Sequence, residues 1–181
     1  HIIGFDRPFT VIGERINPGF ASSKALLDAE DLPALQALAV SQVEKGAHYL
    51  TINVGDKATE KPAFLVELIR AVQAAVDVPL SFDYPHHSVQ ETCLRTYDPA
   101  RARGRKPIVN SISELRWDML ELRQLCPFRL VVMASESGVL PIDESRFEAT
   151  VLAEGLPRPL EVDVAVDGRV FFIELAGKLK V

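Results

Sequence analysis

Apolar runs of strand length alternate with helix-length segments along most of this chain, and several of the runs end in a polar side chain. The runs TVIGER (10–15), YLTINVG (49–55), LSFD (80–83) and PIVNSIS (107–113) are separated by stretches of helical character. A β-then-α rhythm with short links commits a chain to parallel strands, because a parallel neighbour is reached only by a crossover over one face of the sheet. Sheets and barrels of this kind bind ligands at the carboxyl ends of their strands. The alternation places Glu14, Asn17, Asn53, Asp83 and Asn110 at those ends. They offer carboxylates and carboxamides without a nucleophile, a cysteine pair or a glycine-rich phosphate loop. Such a rim is equipped to read a small flat heterocycle by hydrogen bonds.

Strands are predicted at 9–14, 49–54, 80–84, 108–112, 129–134 and 160–166, and helices at 32–45, 62–76, 88–94, 114–125 and 144–154. Asp31 suits the cap of the first helix, Pro33 its first turn and Gly46 its stop. The run at 129–134 is almost continuously apolar, the pattern of a parallel strand buried on both faces. Asp167-Gly168 joins 160–166 to a further β-rich run at 169–175, which predicts an antiparallel hairpin. The expected fold class is α/β: an incomplete TIM-type parallel (β/α) barrel of about six parallel strands plus a C-terminal hairpin, in one domain over 1–181. An eight-stranded barrel takes roughly 250 residues. The 181 residues here point to a barrel truncated or rebuilt after about residue 166, and the opening His1 suggests an altered start.

A hydrophobic content of 48% over this length supports a sizeable core, whereas a net charge of −5 argues against a nucleic-acid surface. The one basic cluster, Arg101, Arg103, Arg105 and Lys106, reads as a solvated connection. No apolar stretch approaches bilayer length and no secretory leader is visible, so the expectation is a cytoplasmic protein that does not enter membranes. Cys93 and Cys126 read as reduced, buried small hydrophobes. The adjacent pair His86-His87 seldom puts both rings on one face, so no metal site is predicted.

Each candidate has a structural alternative. A carboxylate inside an apolar strand is costly to bury alone, so Asp83 points to ligand binding or catalysis, and otherwise to a hydrogen bond with a neighbouring loop. Asn110 could cap the following helix, and Asn53 could hold a turn. Glu14 and Arg15 could pair with each other. Asp163 could face solvent from its strand.

VIGERIN (11–17), EKGAHYLTINVG (44–55), VPLSFD (78–83), IVNSIS (108–113) and LVVMA (130–134) come in an order and spacing that resembles the pterin-binding methyltransferases. That group holds methyltetrahydrofolate:corrinoid methyltransferases and the folate domain of cobalamin-dependent methionine synthase, with dihydropteroate synthase a more distant cousin. The resemblance covers about the first three-quarters of the chain. It implies that Asp83 and Asn110 grip the pterin ring and act in catalysis, and that Asp163 is a further pterin-binding aspartate. The implied substrate is methyltetrahydrofolate or a related pterin, whose N5-methyl passes to the cobalt of cobalamin or another corrinoid carried by a partner protein.

Three departures stand beside these matches. Thr51 occupies a position where the family has Asp, and Asp163 is followed by Val164 rather than Pro. The family's Asn near the end of strand seven, placed at pterin N5, has no evident counterpart. The alternatives are therefore a non-catalytic pterin-binding or assembly module and a dihydropteroate synthase-like enzyme. The latter is matched in part at Asn17-Pro18-Gly19-Phe20 and not at Gly55-Asp56-Lys57-Ala58. An unclosed barrel leaves exposed strand edges, from which a homo-oligomer is expected.

Overall fold

In the computed structural model the described residues are 10–133 and the strand segments 159–164, 170–174 and 179–180. The chain divides into two compact units, His1–Pro141 and Ile142–Val181.

The first unit is a five-stranded parallel sheet in the order β1-β2-β3-β4-β5, formed by Ile12–Gly13, Tyr49–Ile52, Leu80–Asp83, Ile108–Ile112 and Arg129–Val132. Every step moves one strand along in the same direction. Right-handed crossovers then deliver all the helices to a single face of the sheet. These are α1 (Ala21–Asp28), α2 (Leu32–Glu44), α3 (Lys57–Glu60), α4 (Pro62–Ala75) and α5 (His87–Thr96), with 3-10 segments at Pro99–Ala102 and Trp117–Gln124. They pack as a row: α1 on α2, α2 on α4, α4 on α5, and α5 on Trp117–Gln124.

Strand alternation separates two chemistries. Leu50, Ile52, Leu80, Phe82 and Val109 join Leu35, Ala39, Leu65, Leu68, Ile69, Val72 and Cys93 in one apolar cluster on the helix side. Tyr49, Thr51, Ser81 and Ile108 alternate with them, are buried, and stand outside that cluster. The second face of the sheet therefore carries the polar Thr51 and Ser81 beside Tyr49 and Ile108, and leads to the strand ends. Gly13 lets β1 and α2 approach closely, since a Cβ there would lie 2.7 Å from Gln42 Oε1 and would displace that side chain. That oxygen accepts the Arg15 N–H at 2.8 Å and so terminates β1.

Asp31 caps α2 as expected, accepting from Ala34 N–H at 3.0 Å with Pro33 in the first turn. The strand predicted at 9–14 is reduced to Ile12–Gly13 among the described residues, and β2 and β3 end earlier than predicted, at Ile52 and Asp83. Helices α1 and α3 were not anticipated.

Three expectations are corrected. The helix predicted at 114–125 is a 3-10 segment, Trp117–Gln124, whose buried Met119 and Leu122 are spaced by the 3-10 period. The strand predicted to be buried on both faces, β5, is the last of the sheet among the described residues, and Val132 is 63% exposed. The predicted sixth parallel strand, Pro159–Val164 (β6), belongs to a separate three-stranded sheet in the second unit. There it pairs antiparallel with Val170–Glu174 (β7), as the Asp-Gly signal predicts, and β7 pairs antiparallel with Leu179–Lys180 (β8). Among the described residues β1 and β5 do not pair, so the parallel sheet is not closed. The helix predicted at 144–154 lies outside the described residues.

Candidate functional site

The pairing register aligns polar side chains across neighbouring strands. Asp83 is the register partner of Asn110, and Thr51 that of Ser81. Asn53, two residues beyond Thr51, continues on the same side and meets Asp83, its Nδ2 donating to Asp83 Oδ2 at 3.1 Å. One strand-step below, Thr51 Oγ1 donates to Glu14 Oε1 at 2.7 Å. A row of Asn53, Asp83 and Asn110 thus crosses three strand ends, and a Glu14–Thr51 pair lies beneath its β1 side.

The strand ends are fastened from behind. The Val54 N–H donates to the Tyr84 hydroxyl oxygen at 3.0 Å, tying the end of β2 to that of β3. The Tyr84 N–H donates to the Asn110 carbonyl at 3.1 Å, tying β3 to β4. Burial pushes the Tyr84 hydroxyl well above its ordinary pKa, so it stays protonated in this role. Asn53 turns its own chain as well, its Oδ1 accepting the Gly55 N–H at 2.8 Å. Gly55 has φ +60°, and a Cβ there would meet the Pro18 ring at 3.2 Å, so the first loop packs directly onto the second.

Asn53 and Asp83 line one cleft of about 200 Å³ together with Asp56, Thr59, His86 and Val89. A second cleft of about 340 Å³ shares Gly55 and Asp56 with it and continues past Lys24 and Lys57. Lys24 pairs with Asp28 at 2.6 Å, and Lys57 donates to the Leu27 carbonyl at 2.8 Å and to Glu30 at 3.2 Å. Hydrogen bonds from Lys61 and Lys57 hold the Glu30 carboxyl below its usual range.

The predicted site residues divide accordingly. Asn53 and Asp83 are brought into contact, and Asn110 stands beside Asp83 without lining the same cleft. Glu14 engages Thr51, so the Glu14–Arg15 ion pair does not form; Arg15 instead donates to Ser22 at 2.8 Å and stacks 4.5 Å over Phe20. Asn17 holds its own turn, accepting the Gly19 N–H at 2.8 Å. Asp163 lies in the second unit, paired with Phe171.

Around the other singled-out residues, Arg103 pairs with Asp77, and Arg105 donates to the Asp77 carbonyl at 2.6 Å, so the basic cluster fastens a connection. Cys93 and Cys126 are both buried, and burial raises both thiol pKa values. Among the described residues no group of three or more His, Cys, Asp or Glu side chains could hold a metal ion.

Sequence reasoning missed Tyr84, His86 and Gln90 as parts of this site. The available signal for Gln90 was a lone polar residue in the buried stripe Val89, Gln90, Cys93 and Leu94 of α5. No protein-family model matches this chain, and no curated protein matches it.

Proposed function

We propose that the parallel-sheet unit binds a reduced pterin, methyltetrahydrofolate or a close relative, and serves a methyltransferase that passes the N5-methyl group to a corrinoid held by a partner protein. The observation that carries this reading is the row of Asn53, Asp83 and Asn110 across adjacent strand ends. A pterin presents an amino group and a ring N–H side by side, and a carboxylate accepts both as a pair. Asn53 holds Asp83 by one oxygen and leaves acceptor capacity on both. The Asn110 carboxamide can donate to one ring atom and accept from another. The two clefts share Gly55 and Asp56 in their walls, so a second recess lies next to the one that Asn53 and Asp83 line.

Strand order and the single row of helices support a (β/α) barrel-type architecture, in which ligands sit at this end of the sheet. The ordered sequence motifs support the same reading. N5 of the substrate is a tertiary amine and a poor leaving group, so it must gain a proton or a strong hydrogen bond before its bond to the methyl carbon breaks. The electron pair of that bond then stays on N5. Asp83 and Asn110 hold and polarise the ring during this step. The corrinoid supplies the nucleophilic metal and belongs to the partner, which docks over the strand ends. A reduced pterin and two reduced thiols fit a cytoplasmic protein.

Titration calorimetry of the wild-type protein with methyltetrahydrofolate tests the binding step, and absence of binding at millimolar ligand overturns the reading. Stopped-flow absorbance of cobalt(I) corrinoid protein tests transfer. Loss of the cobalt(I) band is expected only when this protein and methyltetrahydrofolate are both present.

A further inference from the structure

The parallel ladder between β3 and β4 ends at the register pair Asp83 and Asn110. Just past it the Tyr84 N–H still reaches the Asn110 carbonyl at 3.1 Å, the last backbone link between the two strands. One buried side chain adds to that link. Gln90, fully buried on α5, directs Nε2 at three carbonyls: Phe82 and Tyr84 at 3.0 Å each, and Asn110 at 3.3 Å. The first two bracket Asp83 along the chain, and the third is that of Asn110 itself. Its Oε1 is buried without a partner. An amide that leaves a buried acceptor unmet while its donor serves three carbonyls is oriented by the donor end.

We propose that Gln90 is the positioning residue of the site, clamping the ends of β3 and β4 so that Asp83 and Asn110 stay side by side. Space filling cannot do this. Three carbonyl oxygens turned toward one amide nitrogen are held there by its N–H donors, an attraction that a side chain of equal volume without a donor does not supply. The clamp acts on the site from the helix side, so Gln90 need not touch a ligand. Its relevance to methyl transfer rests on the pterin reading, but the clamp itself is a statement about Asp83, Asn110 and Asn53 and is testable without any ligand.

Nuclear magnetic resonance of the full chain gives the decisive readout. In the wild-type protein the Gln90 side-chain NH2 protons should exchange with water slowly, as donors buried against carbonyls do. Rapid exchange would overturn the proposal without any variant being made. Gln90→Met keeps the volume and removes the donor, whereas Gln90→Glu faces the three carbonyls with an acceptor. Both are expected to shift the Asp83 carboxyl carbon and the Asn53 side-chain amide signals, with Gln90→Glu the larger. Signals of α2 should stay put. A folded Gln90→Met with unchanged Asp83 and Asn53 signals would show that Gln90 merely fills space. In calorimetry Gln90→Met should weaken methyltetrahydrofolate about tenfold, equivalent to about 1.4 kcal/mol. If wild type does not bind methyltetrahydrofolate, the pterin reading falls, and the exchange and signal shifts still decide the clamp.

Discussion

Asp83 sits at the end of an apolar strand, and its one protein hydrogen bond in the row comes from Asn53. Replacing it by asparagine removes the charge that strengthens a paired hydrogen bond to a ligand. Asp83→Asn is expected to weaken methyltetrahydrofolate binding by about 1–3 kcal/mol in calorimetry; unchanged affinity in a folded variant would take Asp83 out of the site. Thr51 is fully buried and gives Glu14 a 2.7 Å donor, so the near-isosteric Thr51→Val should lower stability by about 1 kcal/mol in urea unfolding. Burial raises the pKa of the Cys93 thiol and the Tyr84 hydroxyl. Both shifts are upward, so the folded state keeps protons that the unfolded chain releases near about pH 8.5 for cysteine and about pH 10 for tyrosine. Stability is full below those values and falls as pH rises past them. Urea midpoints should hold steady up to about pH 8 and decline above about pH 9, and a flat profile to pH 11 would contradict it. That Asp83 and Asn53 stand together at neighbouring strand ends was legible in the sequence, because each closes an apolar run of strand length. Gln90 was not, because a glutamine in a helix normally reads as solvated. Asn17 shows a local use that the sequence also carries: Asn-Pro-Gly is turn chemistry, and the side chain holds that turn.

Helix α2 shows how far local rules reach. Asp31 accepts the Ala34 N–H, Pro33 fills the first turn, and the element forms where capping and period agree. Asp31→Ala should cost about 1 kcal/mol in thermal or urea unfolding; no change would mean that packing alone sets this end. The segment after β4 shows where local rules stop. Its apolar residues can be placed on an α-helical face, yet only Met119 and Leu122 are buried, three residues apart, while Leu115 and Trp117 are more than half exposed. Period 3.0 and period 3.6 differ by less than one residue over such a short stretch, so the sequence pattern cannot separate them. β5 failed differently. A run rich in Leu and Val reads as doubly buried, but burial depends on the strand's rank in the sheet, and rank is set by topology.

At the scale of the molecule, the β-then-α rhythm predicted the parallel sheet and its sequential order, and Asp167-Gly168 predicted the β6–β7 hairpin. The rhythm carried no information on where it would end. Residues 160–166 have the composition of one more parallel strand, and only pairing partners distinguish that from a strand of a separate antiparallel sheet. The end of the parallel sheet has a physical consequence. Among the described residues β5 pairs on its β4 side alone, and Leu130, Val131 and Val132 are 37%, 39% and 63% exposed. An apolar strand with one row of unpaired backbone groups is a template for another strand. Self-association is therefore expected, with light scattering at micromolar concentration giving a mass above the 20.0 kDa of one chain. Val131→Lys places a charge on that strand, the device by which edge strands are commonly kept from pairing, and should return the protein toward a single chain. A clean monomer for the unmodified protein would mean that this edge is already covered, and β5 would then have to be read as an interior strand after all.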